Sequence, residues 1–171
     1  MALKGDRYEG VTDISFFMNE TATRGGVVCL KTPGGSGAAM DQGKALCTYH
    51  ATASGQMPLG LLLNDMVNID QTRQHINFHK NEVQQGGKVT VLKQGYVVTN
   101  NIYPGVTPAA GDIAYVSHSG YITNTAAAAT VNAGQAIGRF LSNKDEDDYC
   151  KVEVNLPNMH RYDVDQDDDN A

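Results

Sequence analysis

Residues 111–123 read GDIAYVSHSGYIT, and residues 135–156 read QAIGRFLSNKDEDDYCKVEVNL. Both stretches set β-branched and aromatic side chains in short runs. Gly, Asn, Asp and Ser break each run before it reaches the length of a stable helix. A chain punctuated this densely folds as short strands joined by turns. The expectation is a mainly β, antiparallel domain with little helix. Eighteen glycines and no tryptophan in 171 residues agree with many turns. That length suits one domain with a real core and would cramp two.

The same grammar extends upstream. GGVVCLKT (25–32) and KALCTYHA (44–51) read as the first two strands, joined by the Gly-rich loop 33–43. PLGLLLNDMVNID (58–70) is the longest apolar run. Pro58 and Gly60 open it and Asn64–Asp65 interrupt it, so it reads as a strand at 59–63 and a second near 66–69. Residues 71–87 are polar and ambiguous. In KVTVLKQGYVVTN (88–100), VTVL and YVVT flank a KQG turn, a hairpin pattern. Residues 113–123 form a second hairpin. The Ala-rich stretch 124–135 suits a helical turn or a loose loop equally. AIGRFLS (136–142) and YCKVEVNL (149–156) close the domain around the acidic turn NKDEDD. PLGLLLND and AIGRFLSN echo each other around Gly60 and Gly138. The echo is either a repeated strand type or a coincidence.

Charge divides the chain unevenly. Residues 143–171 hold ten acids and three bases, a net of −7 within a total of −6, so residues 1–142 carry +1. A near-neutral body with an acidic end lacks the basic face that nucleic acid requires. No run approaches the roughly 18 apolar residues of a membrane span. The opening MALKGDRYEG has no apolar signal core. Synthesis in a cytoplasm with reduced thiols is expected for Cys29, Cys47 and Cys150. Cys29 and Cys47 either face each other from neighbouring strands or are buried as free thiols.

Residues 1–24 are polar and without a clean period, and read as an extended N-terminal arm. Phe16 and Phe17 either anchor that arm to a partner or plug the domain's own core. The β-domain then spans 25–157, and 158–171 forms a flexible acidic tail.

Motifs for chemistry are weak. The Gly-rich loop lacks the GK[ST] of a phosphate loop. Ser36 sits in GGSG, not in GxSxG. His75 and His79 could share a face toward a metal, but no third ligand lies near them in sequence. Cys47 and His50, three apart, point to opposite faces of a strand. Asp163, Asp165 and Asp167 begin like a calcium loop, yet position six is Asp168 rather than Gly. No catalytic, cofactor-binding or metal residue is assigned, and no enzyme activity or cofactor is expected.

Gly111–Asp112, Ser119–Gly120, Ala136–Ile137–Gly138–Arg139 and Val152–Val154 follow one another along the chain, each in generic β-strand grammar. A Gly-Asp strand start leads to a Ser-Gly hairpin and a small-residue linker. An [AV]-[IV]-Gly-[RVK]-x-L strand and a valine-rich last strand complete the series. Over residues 86–156, with weaker support back to Gly25, the chain resembles the head decoration (capsid cement) proteins of tailed bacteriophages. The resemblance implies a compact β-barrel or β-tulip-like domain. It implies a noncatalytic protein on the outer surface of the virion, bound to the major capsid protein and made in the host cytoplasm. It also implies a homo-oligomer, with a trimer favoured and with dimers or monomers in some members. The acidic tail and the 33–43 loop depart from the family pattern.

Within that reading, Arg7, Tyr8, Phe16, Phe17 and Arg24 are the expected capsid contacts, with no nucleic acid and no membrane as partner. A rival reading is another virion surface module, a spike or fibre attachment or a carbohydrate-binding β-domain. Sugar binding would use Tyr96, Tyr103, Tyr115 and Tyr121, some of which must face inward in alternating strands. A small hydrolase with a dispersed triad ranks below both.

Overall fold

Burial on both faces explains the longest apolar run. Leu61, Leu62 and Leu63 are all fully buried, because Leu61 and Leu63 face one hydrophobic cluster and Leu62 faces another. A strand covered on both sides needs no polar alternation. The computed structural model describes residues 3–31, 45–49, 57–65, 81–125 and 133–156.

Among the described residues the chain forms twelve strands and one 3-10 turn. In order they are Leu3–Asp13 (β1), Phe17–Met18 (β2), Ala22–Thr23 (β3), Val27–Leu30 (β4), Leu46–Thr48 (β5), Pro58–Asp65 (β6), Glu82–Val83 (β7), Val89–Thr99 (β8), Ile113–Ser117 (β9), the turn His118–Gly120, Ile122–Thr123 (β10), Ala133–Phe140 (β11) and Cys150–Asn155 (β12). The mainly β, antiparallel expectation holds; among the described residues one strand pair, β2 with β5, is parallel. The large sheet runs β10-β9-β11-β12-β8-β6-β4-β5-β2, and β1 joins it on β8. β3 and β7 make a small second sheet. The strand path is open, and among the described residues no pairing closes it into a barrel.

Strand β8 organises the fold. Val97 lies opposite both Arg7 of β1 and Val152 of β12, while Leu92 lies opposite both Thr12 of β1 and Leu61 of β6. One edge of β8 therefore carries β1 along its length, and β12 and β6 share the other. The expected hairpin at 88–100 is corrected by this: residues 89–99 are one unbroken strand. Gly95 does not turn the chain. A side chain there would collide with the Tyr8 carbonyl oxygen, so the glycine admits the β1 backbone.

The other closing elements match the sequence pattern. β9, the 3-10 turn and β10 make the hairpin at 113–123, with Ser119 at φ 55° and Gly120 at φ 75° carrying the turn. β11 and β12 pair antiparallel around the acidic turn. There the Asp145 carboxylate accepts from the Asp147 and Tyr149 amides at 3.0 and 2.7 Å. The Gly60–Gly138 echo has a structural counterpart. A Cβ on Gly60 would strike the Leu92 carbonyl, and one on Gly138 the Glu153 carbonyl. Each glycine lets its strand close onto a neighbour beside a shift in register.

Two clusters share β4, β6 and β8. The larger includes Leu3, Val27, Leu61, Leu92, Val97, Ile137, Phe140, Val152 and Val154. The smaller includes Met18, Val28, Cys47, Leu62, Val83, Val89 and Val91. The 33–43 loop, a strand near 66–69, His50, His75, His79 and the 158–171 tail lie outside the described residues.

Candidate interaction face

Strand β1 does not follow the burial rule of its neighbours. Leu3 is 1% exposed and docks in the large cluster, but residues 5–12 are exposed without interruption. A strand covering a core would alternate. Here the core ends beneath β8, and β1 hangs on that strand with both faces in solvent. It is pinned at its far end by Lys93, whose ammonium lies 2.6 Å from the Asp13 carboxylate. The Ser15 amide also donates to Asp13, at 2.8 Å. Burial raises the Asp13 carboxyl, but these hydrogen bonds outweigh it and hold the group below its usual range.

Cross-strand neighbours share a face. Tyr8, Tyr96 and Glu153 therefore make one row over β1, β8 and β12, which Arg139 of β11 continues. Val11, Gln94 and Asn155 make the next. The Tyr8 and Tyr96 rings lie 6.1 Å apart at 32°. Lys151 sits 3.9 Å from the Tyr96 ring centre and 3.5 Å from Asp6, and Lys4 sits 4.0 Å from the Tyr149 ring and 2.9 Å from Asp145. Two lysines thus clip β1 to the body. Solvent screens these exposed contacts, so each is weak, and the backbone ladder to β8 does the rest. Between the two rows lies a groove of about 420 Å³ bordered by Tyr8, Val11, Gln94, Tyr96, Glu153 and Asn155. Tyr8 is 60% exposed and Val11 45%, large values for apolar surface on a small domain.

The five residues expected to contact a partner divide. Arg7 and Tyr8 lie on β1. Phe16 packs on the smaller cluster, and its carbonyl accepts from the Val89 amide at 3.0 Å. Phe17 donates its amide to Ala45 at 2.8 Å and carries Lys88 over its ring. Phe16 thus packs on the domain's own core, while Phe17 is half-buried and is joined to the body through its backbone. The arm proper is 3–13, since β2 and β3 are woven into the sheets. Arg24 is half-buried beside Asn81, with its Nε lacking a hydrogen-bond partner among the described residues. Desolvation, helped by the Arg7 charge, depresses its pKa.

Lys151, Glu153, Asn155, Gln94 and Val11 were not singled out from sequence. The signal available was the alternation of CKVEVN, which turns Lys151, Glu153 and Asn155 away from the core. Of the tyrosines considered for sugar, Tyr115 is buried. Tyr103 and Tyr121 pack edge-on around His118, with ring centres 5.1 and 5.9 Å from the imidazole. They form a local cluster away from Tyr96.

The three cysteines are free and buried. Cys29 and Cys47 lie on paired strands but one residue out of register and in opposite clusters, so they do not face each other. Burial pushes both thiols up to about 12 and Cys150 to about 11. Among the described residues no group of three or more His, Cys, Asp or Glu side chains is placed to hold a metal, and no helix is long and apolar enough to cross a membrane. In comparison with known proteins, the chain matches no family model and no curated protein.

Proposed function

We propose that this chain is a capsid decoration protein that binds the outside of an assembled phage head and braces it by bridging major capsid protein subunits. The observation that carries the reading is β1, an eleven-residue strand with eight consecutive exposed residues, presented on a rigid sheet. A protein whose task is to grip other proteins benefits from such a projection. A loose arm would lose roughly 1–2 kcal/mol of backbone entropy per residue on docking. Here β8 already holds the strand extended, so the binding surface is pre-organised. Tyr8 and Val11 supply apolar anchors within a polar surround. Bridging adds avidity, because each further contact on the shell becomes intramolecular.

The test is to mix the purified protein with undecorated heads and image them. Regular density at symmetric positions supports the reading; bare heads at saturating protein overturn it. Tyr8→Ala with Val11→Asp should lower occupancy while leaving the fold intact.

A second reading rests on the groove. Tyr8 and Tyr96 offer ring faces, and Gln94, Glu153 and Asn155 offer hydrogen-bonding groups around them. That combination suits a carbohydrate, and a glycan array with Tyr96→Ala as control separates it from the first.

A further inference from the structure

Strand β1 has one edge on β8 and an opposite edge that pairs with nothing among the described residues. Bare edges template further strands unless something blocks them. Charges on β1 would block most partners, but their order is self-complementary. We infer that β1 pairs antiparallel with β1 of a second copy, about a two-fold axis through Tyr8, to join two sheets into one.

Backbone geometry limits the choices. The Tyr8 carbonyl points toward β8, where a side chain on Gly95 would collide with it, and the Gly10 amide faces the same way. Alternation then turns the Arg7 and Glu9 amides and carbonyls outward. Opposed residues in an antiparallel pair must point the same way, so the axis passes through a residue, never between two. Register shifts interrupt β1 between Leu3 and Arg7 and again between Glu9 and Val11, leaving Arg7–Glu9 as the regular stretch. Three registers are centred there. An axis at Arg7 sets arginine against arginine, and an axis at Glu9 sets glutamate against glutamate. An axis at Tyr8 sets Arg7 opposite Glu9 twice. Opposite charges directly across a strand pair stabilise it and like charges oppose it, so one register survives.

The surroundings favour the same answer. Arg7 already lies 2.6 Å from Glu9 in its own chain, so the joined edge gathers two arginines and two glutamates into one neutral network. Arg24 stands close enough to Arg7 to feel its charge, and a second glutamate offsets that repulsion. On the other face the Tyr96–Tyr8 pair meets its symmetric copy, giving a row of four rings. Such an interface is isologous, the commonest form among soluble oligomers. Pairing is read in solution without heads, so it stands or falls separately from the proposed function. If both hold, two joined copies supply the bivalency that bridging uses.

The experiment uses the full chain in sedimentation velocity over a concentration series. A single strand pair is small beside a standard interface, so a monomer–dimer equilibrium in the micromolar range is expected. Arg7→Glu should weaken the dimer at least about tenfold, and Arg7→Glu combined with Glu9→Arg should restore it. Tyr8→Cys should form a disulfide-linked dimer on oxidation, since residues on such an axis fall within disulfide reach. Val11→Cys should not, and the native thiols are buried. A wild-type chain that stays monomeric at about 100 µM overturns the inference. So does an oligomer indifferent to Arg7→Glu, a charge swap without rescue, or a Tyr8→Cys variant that does not cross-link. All four positions are exposed, and melting curves verify that each variant folds.

Discussion

Gly138→Ala isolates what the closing strands require. Gly138 sits inside β11 with Val154 of β12 on one side and Ala114 of β9 on the other. An added methyl would strike the Glu153 carbonyl and lie 3.2 Å from the Val154 Cα, so the obstacle is backbone and cannot rotate away. Relief requires β11 and β12 to part. Overpacking of this kind costs roughly 1–3 kcal/mol, and weakening one ladder hydrogen bond adds about 1 kcal/mol. The lower entropy of an alanine chain when unfolded returns about 0.4–1 kcal/mol. The net is a loss of about 1–3.6 kcal/mol, which for a chain of this size lowers the melting temperature by roughly 2–14 °C. Calorimetry or circular dichroism melts measure it. Gly5→Ala is the control, because a Cβ there meets nothing within 4 Å, and it should leave the melt unchanged or slightly raised. A Gly138→Ala melt within about 2 °C of wild type, or an equal fall in Gly5→Ala, would refute the close-approach argument.

Burial, charge and buried hydrogen bonds set further outcomes. The thiols should resist labelling by a disulfide reagent at pH 8 and all three should react in denaturant; one rapidly labelled native cysteine contradicts their burial. Backbone and side-chain hydrogen bonds hold the Asp112 carboxyl low, and those of Lys4 and Tyr149 hold Asp145 low, alongside Asp13. Groups depressed in the folded state stabilise it above their unfolded pKa and lose that effect as pH falls through the folded value. Urea midpoints should therefore hold from neutral pH to about 5 and drop below about 4, and midpoints that rise toward pH 3 would contradict this. Buried Thr99 donates to the Gly25 carbonyl at 2.8 Å and accepts from the Asn101 amide at 3.1 Å. Thr99→Val should cost about 1–3 kcal/mol in denaturant melts, and a neutral result would show that these contacts are replaceable.

Local pattern was sufficient for the strand class and for several elements. The VVCL, LCT and LLL runs, the Ser-Gly hairpin and the paired 133–140 and 150–155 strands are all written in β-branched and apolar side chains next to turn formers. Such signals act over a few residues, so they survive without tertiary context. Gly95 failed for the opposite reason. A glycine that turns a chain and a glycine that admits a neighbouring backbone look alike until the neighbour is placed, and the neighbour is Tyr8, 87 positions earlier in the chain.

The interaction face shows the same division. Order of residues determined that the N-terminal segment is extended, polar and self-complementary in charge around Tyr8. Alternation in CKVEVN likewise determined which side chains of β12 turn outward. Only the assembled sheet decided that β1 lies along β8, that Phe16 packs on the smaller cluster, and that the core stops short of residues 5–12 and leaves them in solvent. Side-chain preference is a property of near neighbours in the chain. The choice of partner strand depends on hydrogen bonds and burial shared between segments far apart, and these exist only once the chain has closed on itself.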